Sequence, residues 1–522
     1  MTIAYDERAN APAFDRRGRR PVAVDALIVG AGLLLFAIVW LGQLDFSSLS
    51  PPADNIEQLT WVRSMQWGYY KHPPLPTWLL WLPVQVLGLT QWTTYLTGAL
   101  MTLGAMSLMW GLLVALRGRG YATVALLGAL CVSYYNGRLN YYNHNIVLLL
   151  MSTLAAVMCW QAVATRRLRW WIGLGLAIGF GALAKYQIAV TALSVLLFIG
   201  HQRVWNDPAQ RRGVLCAALI ALLPLLPHLQ WLREHHYATI HYAMDSSLGA
   251  NFGATARSAN ALGWLADQVF NRALPTLLLL AATAFMVRGT RRQAIATSAR
   301  PAARDPARAL ILAWGLAPLA FMTSMGILTG ANLQLQWGTP FLLFLVPALM
   351  ELARNVDWNG VDLRTTLIAF VLIQALLLAT SHLKSPRGLS GLRDRHWRSF
   401  DSALLAQRIG ARAREALGGP VRVVIGDASI AGALALRLPE RPLVLIDGRF
   451  DRSPWVPADL VQRCGALELG SMGLPGQVEP VGPEFPGLAW RIVKPQPGAA
   501  PCPGRTLPSD HGRRPAGAND RG

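Results

Sequence analysis

The feature that most constrains this chain is a succession of long apolar runs separated by short loops. The first run, residues 22–44, is long enough to cross a hydrocarbon core of about 30 Å. Ten more runs follow it, at residues 92–116, 121–137, 143–164, 170–184, 187–200, 214–231, 265–287, 309–329, 339–352 and 365–383. The pattern predicts an all-α polytopic membrane protein with about 11 to 13 transmembrane helices.

The charges of the loops alternate, and this alternation predicts an orientation. Lys and Arg number 48 against 28 Asp and Glu, a formal net charge of +20, although only 15% of residues are charged. So low a charged fraction argues against a soluble multidomain enzyme and against a disordered chain. The basic residues fall in every second loop and in residues 1–21, which the positive-inside rule places in the cytoplasm. The excess therefore indicates membrane orientation, and nucleic acid is not expected as a partner.

One apolar segment departs from the regular succession of spans. Residues 74–89 are apolar but short, and counting them as a span would place a basic loop outside, so we expect an interfacial or re-entrant segment. Residues 22–383 then form the transmembrane domain, and an odd number of spans places the remainder of the chain outside the cytoplasm.

The composition changes after residue 383, where a small periplasmic α/β domain is expected at 384–494. A strand at 421–427, a helix at 428–438 and a strand at 442–447 support it. Residues 495–522, rich in Pro, Gly and Arg, predict a disordered tail. Cys464 and Cys502 both fall outside the cytoplasm, where a disulfide is permitted, but nothing in the sequence shows that they meet.

The first outer loop, residues 45–73, carries two acids that are candidates for catalysis. Asp54 and Glu57 are three residues apart, a spacing that places both on one face of a helix. Acids at a membrane interface are often simply solvated. The crowding of the same loop by further aromatic and basic residues favours a functional role, and these candidates for substrate binding are Tyr69, Tyr70, Lys71 and His72.

The later outer loops supply further candidates for substrate binding. In residues 134–145, the side-chain amides, aromatic rings and one arginine are typical of a sugar-binding surface. In a later loop, Lys185 lies at a break between two spans, where a lysine is costly unless it is paired or faces water or phosphate. The candidates in these loops are Arg138, Asn143, His144, Asn145, Lys185, Tyr186, Arg257, Gln336 and Trp337. The sequence contains no Walker A motif, so it gives no support for ATP-driven transport. The three histidines at 235, 236 and 241 do not form an HExxH-type metal motif.

The block that starts at Asp54, DNIEQLTWVRSMQWGYYKHPPLPTWLL, resembles the first periplasmic loop of bacterial glycosyltransferase families 39 and 83. These families belong to the GT-C superfamily, together with the protein O-mannosyltransferases and the aminoarabinose lipid A transferases. Four later motifs are similar to the same families in the same order: YYNHN at 141–145, GALAKYQ at 181–187, PHLQWLREHHYA at 227–238 and QWGTP at 336–340.

The resemblance implies transfer of a sugar from a polyprenyl-phosphate donor to an envelope acceptor at the periplasmic face of the bacterial inner membrane. It implies that Asp54 acts as a base or orients the acceptor. The usual second acid is replaced by Asn55, and Glu57 is the candidate substitute. The acidic pair of related enzymes contributes to a divalent-metal site, so Asp54 and Glu57 are the candidate metal ligands. The leaving phosphate needs cations, for which Lys71, Arg138, Lys185 and Arg257 are available.

The acceptor and the sugar stay open at this point. The family favours lipid A or another lipopolysaccharide and an amino sugar such as glucosamine or aminoarabinose. A galacturonic acid donor and a protein acceptor are the alternatives. A lipid or solute transporter is an alternative of a different class, which predicts ionisable residues at mid-span. The predicted spans keep their charges near their ends, which favours an enzyme that works at one membrane face.

Overall fold

The computed structural model describes residues 22–250, 252–290, 305–394 and 396–503. Within these ranges the chain forms 20 α-helices and 5 β-strands. The helices before residue 384 are α1 (Val22–Phe46), α2 (Ala53–Trp61), α3 (Leu75–Leu87), α4 (Gln91–Arg117), α5 (Arg119–Leu130), α6 (His144–Thr165), α7 (Leu168–Ala184), α8 (Ile188–His201), α9 (Pro208–Leu222), α10 (Leu226–Glu234), α11 (Ala238–Ala243), α12 (Ala254–Ala266), α13 (Leu274–Thr290), α14 (Pro306–Gly315), α15 (Ala317–Thr329), α16 (Leu342–Leu352) and α17 (Leu363–Leu383). The segments predicted at 1–21 and 504–522 lie outside the described residues.

The helices confirm a multi-pass membrane protein. Each of the 11 predicted apolar runs overlaps a helix or a pair of helices, but the run at 121–137 extends beyond α5, which ends at Leu130. Among the described residues, six helical stretches are long and apolar enough to cross a membrane, and a bent pair over residues 254–286 makes a seventh if it is one span. The shorter apolar helices α7, α8 and α16, which coincide with three of the predicted runs, account for much of the difference from 11. The number of crossings stays a prediction.

Helix α3 occupies the apolar segment that departs from the regular succession. It has 13 residues, a proline in its first turn and Pro83 in its interior. At 1.5 Å per residue it is about 20 Å long, shorter than a hydrocarbon core. Its length is compatible with an interfacial or re-entrant position, which stays a prediction.

A close helix contact positions one of the outer loops. A Cβ atom added to Gly98 of α4 would lie 2.1 Å from the carbonyl oxygen of Tyr141, so only glycine permits this approach. The loop that leads into α6 is therefore packed directly on α4. Buried aromatic side chains of the same region, Tyr134, Tyr135 and Tyr142, make this loop part of the core rather than a solvated connection.

The expected strand, helix and strand are present in the C-terminal domain, and three further strands extend the sheet. The elements are α18 (Ser402–Leu417), β1 (Val423–Gly426), α19 (Ala428–Arg437), β2 (Leu443–Ile446), α20 (Leu460–Cys464), β3 (Ala466–Ser471), β4 (Glu479–Pro480) and β5 (Leu488–Val493). The strand order is β2-β1-β3-β5-β4. Strand β1 pairs in parallel with β2 and β3, and β5 pairs antiparallel with β3 and β4.

The C-terminal domain packs directly on the first outer loop. Trp61 and Tyr69 of that loop belong to the same hydrophobic cluster as the core of the domain. A Cβ atom at Gly432 of α19 would lie 2.4 Å from Ile56 of α2, so the glycine lets the two helices touch. Arg63 also donates a 3.1 Å hydrogen bond to the carbonyl oxygen of Arg441. The domain therefore covers the loop that carries Asp54 and Glu57.

A disulfide joins Cys464 to Cys502, with their Cα atoms 4.8 Å apart. The bond ties the beginning of the predicted tail, residues 495–503, back to the end of α20. A disulfide persists in an oxidising compartment, which agrees with the expected periplasmic location of this domain.

Candidate active site

Helix α2 presents Asp54 toward the loop that precedes α6. Asp54 is half-buried, and its Oδ2 accepts a 2.7 Å hydrogen bond from Nδ2 of Asn143. Asn143 is also the N-cap of α6, because its Oδ1 accepts hydrogen bonds from the backbone N–H groups of Asn145 and Ile146. A helix cap therefore orients the amide that holds the candidate base.

Asn55 stands where the related families carry an acid, and the structure explains the amide. Its side chain is fully buried, and its Nδ2 donates hydrogen bonds to Thr94 Oγ1 and to the carbonyl oxygen of Asn140, both 2.8 Å. Its Oδ1 accepts from the backbone N–H of Tyr142 at 2.9 Å. A carboxylate has no N–H to donate, so this environment requires an amide.

Glu57 lies on the same face of α2 as Asp54 and forms an ion pair with Lys71. The Lys71 Nζ to Glu57 Oε2 distance is 2.6 Å, and the carboxylate is buried. Burial raises the pKa of Glu57 to about 7, although the charge of Lys71 opposes this rise. Burial alone would lower the pKa of Lys71, but the charge of Glu57 raises it above its usual range. Lys71 is therefore protonated at neutral pH, and the Glu57 carboxyl group titrates there.

His72 follows Lys71 and meets His144 at the start of α6. Their ring centroids are 3.4 Å apart. Enclosure holds the pKa of His72 well below its usual range, with the nearby positive charges of Lys185 and Lys71 acting in the same direction. His72 is thus a neutral imidazole that offers hydrogen bonds rather than charge.

Lys185 lies in the break between α7 and α8, outside both helices. Its Nζ donates a 2.7 Å hydrogen bond to Oδ1 of Asn145 and lies 5.3 Å from the centroid of the Trp337 ring. Within the described ranges, no carboxylate lies at ion-pair distance from it. Burial lowers the pKa of Lys185 to about 7, and the charge of Asp54 opposes this shift only in part. Asn143 and Asn145 therefore connect Asp54 to a lysine whose surroundings leave room for an anion.

Lys71, His72, Asn145 and Lys185 open onto a cavity of about 540 Å³, whereas Asp54, Glu57 and Asn143 do not line it. Eight of the residues predicted from the sequence line it: Lys71, His72, His144, Asn145, Lys185, Tyr186, Gln336 and Trp337. Val190, Phe321, Met322 and Met325 form an apolar part of the same wall. The cavity thus combines a polar end next to the first loop with an apolar remainder among the helices.

The other predicted residues occupy different positions. Tyr69 lies in the core under the C-terminal domain, with its ring stacked on Trp61 at 4.7 Å, and Tyr70 lines a second cavity. Arg138 lies over the rings of Tyr134 and Tyr141. Arg257 donates hydrogen bonds to the carbonyl oxygens of Phe252 and Leu328. Neither arginine lines the 540 Å³ cavity.

The acidic pair does not fit a metal site in this structure. One carboxylate accepts from the Asn143 amide and the other is held by the Lys71 ammonium, whose positive charge opposes a divalent cation. In the part of the chain that the structure describes, no group of three or more His, Cys, Asp or Glu side chains converges. The expected participation of Asp54 and Glu57 in a metal site is therefore not supported.

Sequence reasoning missed Tyr242, which the structure places beside the first loop. Its ring centroid lies 5.6 Å from Lys71 Nζ and 5.9 Å from the His72 ring. Nothing in its local sequence distinguishes this tyrosine from one that faces solvent. Its role follows only from the way α11 folds back toward residues 70–72.

Comparisons with known proteins agree with this geometry. A family model described as dolichyl-phosphate-mannose-protein mannosyltransferase matches residues 71–231. The lipopolysaccharide core galacturonosyltransferase RgtA of Rhizobium johnstonii is 26% identical over 432 residues, which are 78% of this chain and 79% of RgtA. The lipid A galacturonosyltransferase RgtD of the same organism is 24% identical over 240 residues, 43% of this chain and 48% of RgtD.

The fold is similar to that of a solved membrane enzyme. ArnT from Cupriavidus metallidurans bound to undecaprenyl phosphate matches with a TM-score of 0.58 at 15% identity, covering 90% of this chain and 98% of ArnT. Its apo structure matches with a TM-score of 0.57 at 16% identity, covering 91% and 98%. Together with the shared loop motifs, these similarities support a membrane glycosyltransferase with a GT-C fold.

Proposed function

We propose that this protein transfers a sugar from a polyprenyl-phosphate donor to lipid A or the lipopolysaccharide core at the periplasmic face of the bacterial inner membrane. The observation that carries the proposal is Lys185, a cation enclosed in a partly apolar cavity and connected through Asn145 and Asn143 to Asp54. An enclosed cation without an ion-pair carboxylate among the described residues suits the phosphate of a lipid-linked sugar. The undecaprenyl phosphate bound to the ArnT relative supports the same donor class.

The donor would lie with its phosphate at Lys185 and its polyprenyl chain along the apolar wall. Phe321, Met322 and Met325 provide that wall, and sulfur-containing side chains adapt well to a flexible isoprenoid. His72 and the amide of Asn145 lie at the same polar end and are available to the sugar.

The reaction is a displacement at the anomeric carbon of the donor sugar. An acceptor hydroxyl oxygen forms the new bond to that carbon, the bond between the carbon and the phosphate oxygen breaks, and polyprenyl phosphate leaves. The hydroxyl proton passes to the carboxylate of Asp54, which the Asn143 amide holds in place. Lys185 stabilises the negative charge that develops on the leaving phosphate.

The donor sugar that the relatives favour is galacturonic acid. RgtA, RgtD and the lipopolysaccharide core galacturonosyltransferase RgtB, 23% identical over 428 residues, are all named for transfer of this sugar. An amino sugar, which the family resemblance favours, stays the second candidate.

Deleting the gene and weighing lipid A and core oligosaccharide by mass spectrometry tests the sugar and the acceptor together. Loss of a hexuronic acid from either glycan is the expected result, and loss of a pentosamine or hexosamine would support the amino sugar. If lipid A and core oligosaccharide are unchanged in the deletion strain and a protein loses a sugar instead, the acceptor is a protein.

Asp54→Asn tests the mechanism in the purified enzyme. We expect transfer to fall by about 10²-fold or more, the usual contribution of a general base. Asp45→Asn is the matched control, because Asp45 accepts a hydrogen bond from Gln91 and not from Asn143. Unchanged transfer by Asp54→Asn at normal membrane levels would contradict the proposed role of Asp54.

A further inference from the structure

A second cavity of about 470 Å³ lies beside the first, and Tyr242 lines both of them. Its walls come from three separate parts of the chain: Tyr70 of the first loop, the α10–α11 segment and residues 449–452 of the C-terminal domain. We infer that this second cavity binds the saccharide of a glycolipid acceptor. The inference rests on the proposed function and names where, and through which chemistry, its acceptor is held.

Aromatic rings form one side of the second cavity. Trp231 stacks on His235 with centroids 4.1 Å apart, and Tyr70 meets Tyr242 edge to face at 6.1 Å. The faces of aromatic rings pack against the C–H faces of sugar rings, while a tyrosine hydroxyl or an imidazole nitrogen reaches the sugar hydroxyls. This wall therefore suits a saccharide better than it suits an acyl chain.

The charged groups of the second cavity are largely paired with one another. Arg449 forms a 2.6 Å ion pair with Asp451, and Arg452 forms a 2.7 Å ion pair with Asp447. Glu234 and Asp245 add acceptors to the opposite wall. Donors and acceptors are thus mixed without an excess of positive charge, an arrangement that suits the neutral hydroxyls of a sugar. The enclosed Lys185 of the first cavity, in contrast, suits phosphate.

The α11 segment has an apolar side that points away from this cavity. Ile240 and Met244 form this apolar stripe: they are four residues apart, 42% and 45% exposed, and line neither cavity. In a multi-pass membrane protein such a stripe next to a polar face marks the membrane boundary. His241 and Asp245, the neighbours of Ile240 and Met244 in the chain, line the cavity instead. A ligand with sugars in the cavity and acyl chains along this stripe is a glycolipid.

The position of Tyr242 brings an acceptor bound in the second cavity to the reacting groups. Its ring touches the first loop at Lys71 and His72, and the same loop begins with α2, which carries Asp54. An acceptor hydroxyl that passes Tyr242 therefore enters the polar end of the first cavity. The two substrates would approach from opposite sides of one tyrosine.

Direct binding to the full-length protein in nanodiscs tests the inference without catalysis. The probes are core oligosaccharide released from lipopolysaccharide, intact lipopolysaccharide and undecaprenyl phosphate. His241→Ala and Asp245→Ala, both exposed positions, should each weaken oligosaccharide binding by about fivefold to tenfold, the effect of one lost hydrogen bond. His201→Ala, an exposed histidine at the end of α8 outside both cavities, should bind like wild type.

Ile240→Gln separates the glycolipid from a free saccharide. We expect it to weaken binding of intact lipopolysaccharide and to leave binding of the released oligosaccharide unchanged. Equal weakening of both ligands, or of neither, would overturn the glycolipid part of the inference.

The failure of the inference differs from the failure of the proposed function. Two results would overturn the inference alone. In the first, His241→Ala and Asp245→Ala both bind the oligosaccharide with wild-type affinity. In the second, the wild-type protein binds undecaprenyl phosphate but does not bind the oligosaccharide. Undecaprenyl phosphate binding that survives unchanged in Lys185→Gln would instead count against the proposed donor site.

Discussion

Nδ2 of Asn143 donates a 2.7 Å hydrogen bond to Oδ2 of Asp54, although 89 positions separate the two residues in the chain. The same amide caps α6 through its oxygen. One side chain thus joins the first outer loop to the start of a membrane helix.

Asn143→Asp should slow sugar transfer without unfolding the protein. The new carboxylate still caps α6 as an acceptor, but it cannot donate to Asp54 and brings a like charge beside it. We expect kcat to fall by about 10²-fold, as a misplaced catalytic group does, with little change in thermal unfolding. Steady-state kinetics and thermal unfolding on the same preparation check this. An unchanged kcat would show that the Asn143 bond does not position Asp54.

Asn55→Asp should destabilise the protein, although it restores an acid of the kind related enzymes carry next to the catalytic aspartate. The carboxylate would be buried without the two N–H donors that serve Thr94 and the Asn140 carbonyl group. We expect a loss of about 2–4 kcal/mol in the free energy of unfolding. Chemical or thermal unfolding in detergent measures it, and Asn206→Asp, at an exposed position, is the control. Equal stability of both variants would contradict the assigned role of the buried amide.

Lys71→Met should destabilise the first loop in a pH-dependent way. Without Lys71 the buried Glu57 loses its partner, and its pKa rises further above the present value of about 7. Glu57 then holds a proton in the folded protein at pH values where it is ionised in the unfolded chain. The loss in the free energy of unfolding, relative to wild type, therefore grows as pH rises. We expect about 1–3 kcal/mol at pH 8 and less at pH 6, where the carboxyl group is protonated. Unfolding measured at both values checks the sign, and Lys71→Met/Glu57→Gln should remove the pH dependence.

Affinity for a polyprenyl phosphodiester should fall as pH rises above neutrality. The free Lys185 ammonium has its pKa lowered to about 7 by burial, and a bound phosphate anion favours its charged form. Binding then requires a proton above pH 7, so we expect about tenfold weaker binding at pH 8 than at pH 6. Lys185→Arg, charged throughout, should bind with little pH dependence. If Lys185→Gln keeps the wild-type dependence of affinity on pH, a group other than Lys185 is responsible for that dependence.

Local sequence was sufficient for the features that depend on neighbouring residues alone. The apolar runs predicted the helices because a membrane span is defined by its own hydropathy, and the spacing of Asp54 and Glu57 predicted their shared face of α2. The loop motifs also indicated eight of the side chains that line the cavity.

Other features of the site depend on contacts between distant parts of the chain. The need for an amide at Asn55 comes from Thr94 and the 140–142 backbone, and the position of Tyr242 comes from the fold of α11 against the first loop. The docking of the C-terminal domain on α2 follows from the contact of Gly432 with Ile56, which no local pattern encodes. The sequence by itself indicated a membrane glycosyltransferase and predicted its candidate residues on loops between apolar runs, because hydropathy and motifs are local properties. Only the tertiary structure decided which of those residues meet, because packing joins side chains that are far apart in the chain.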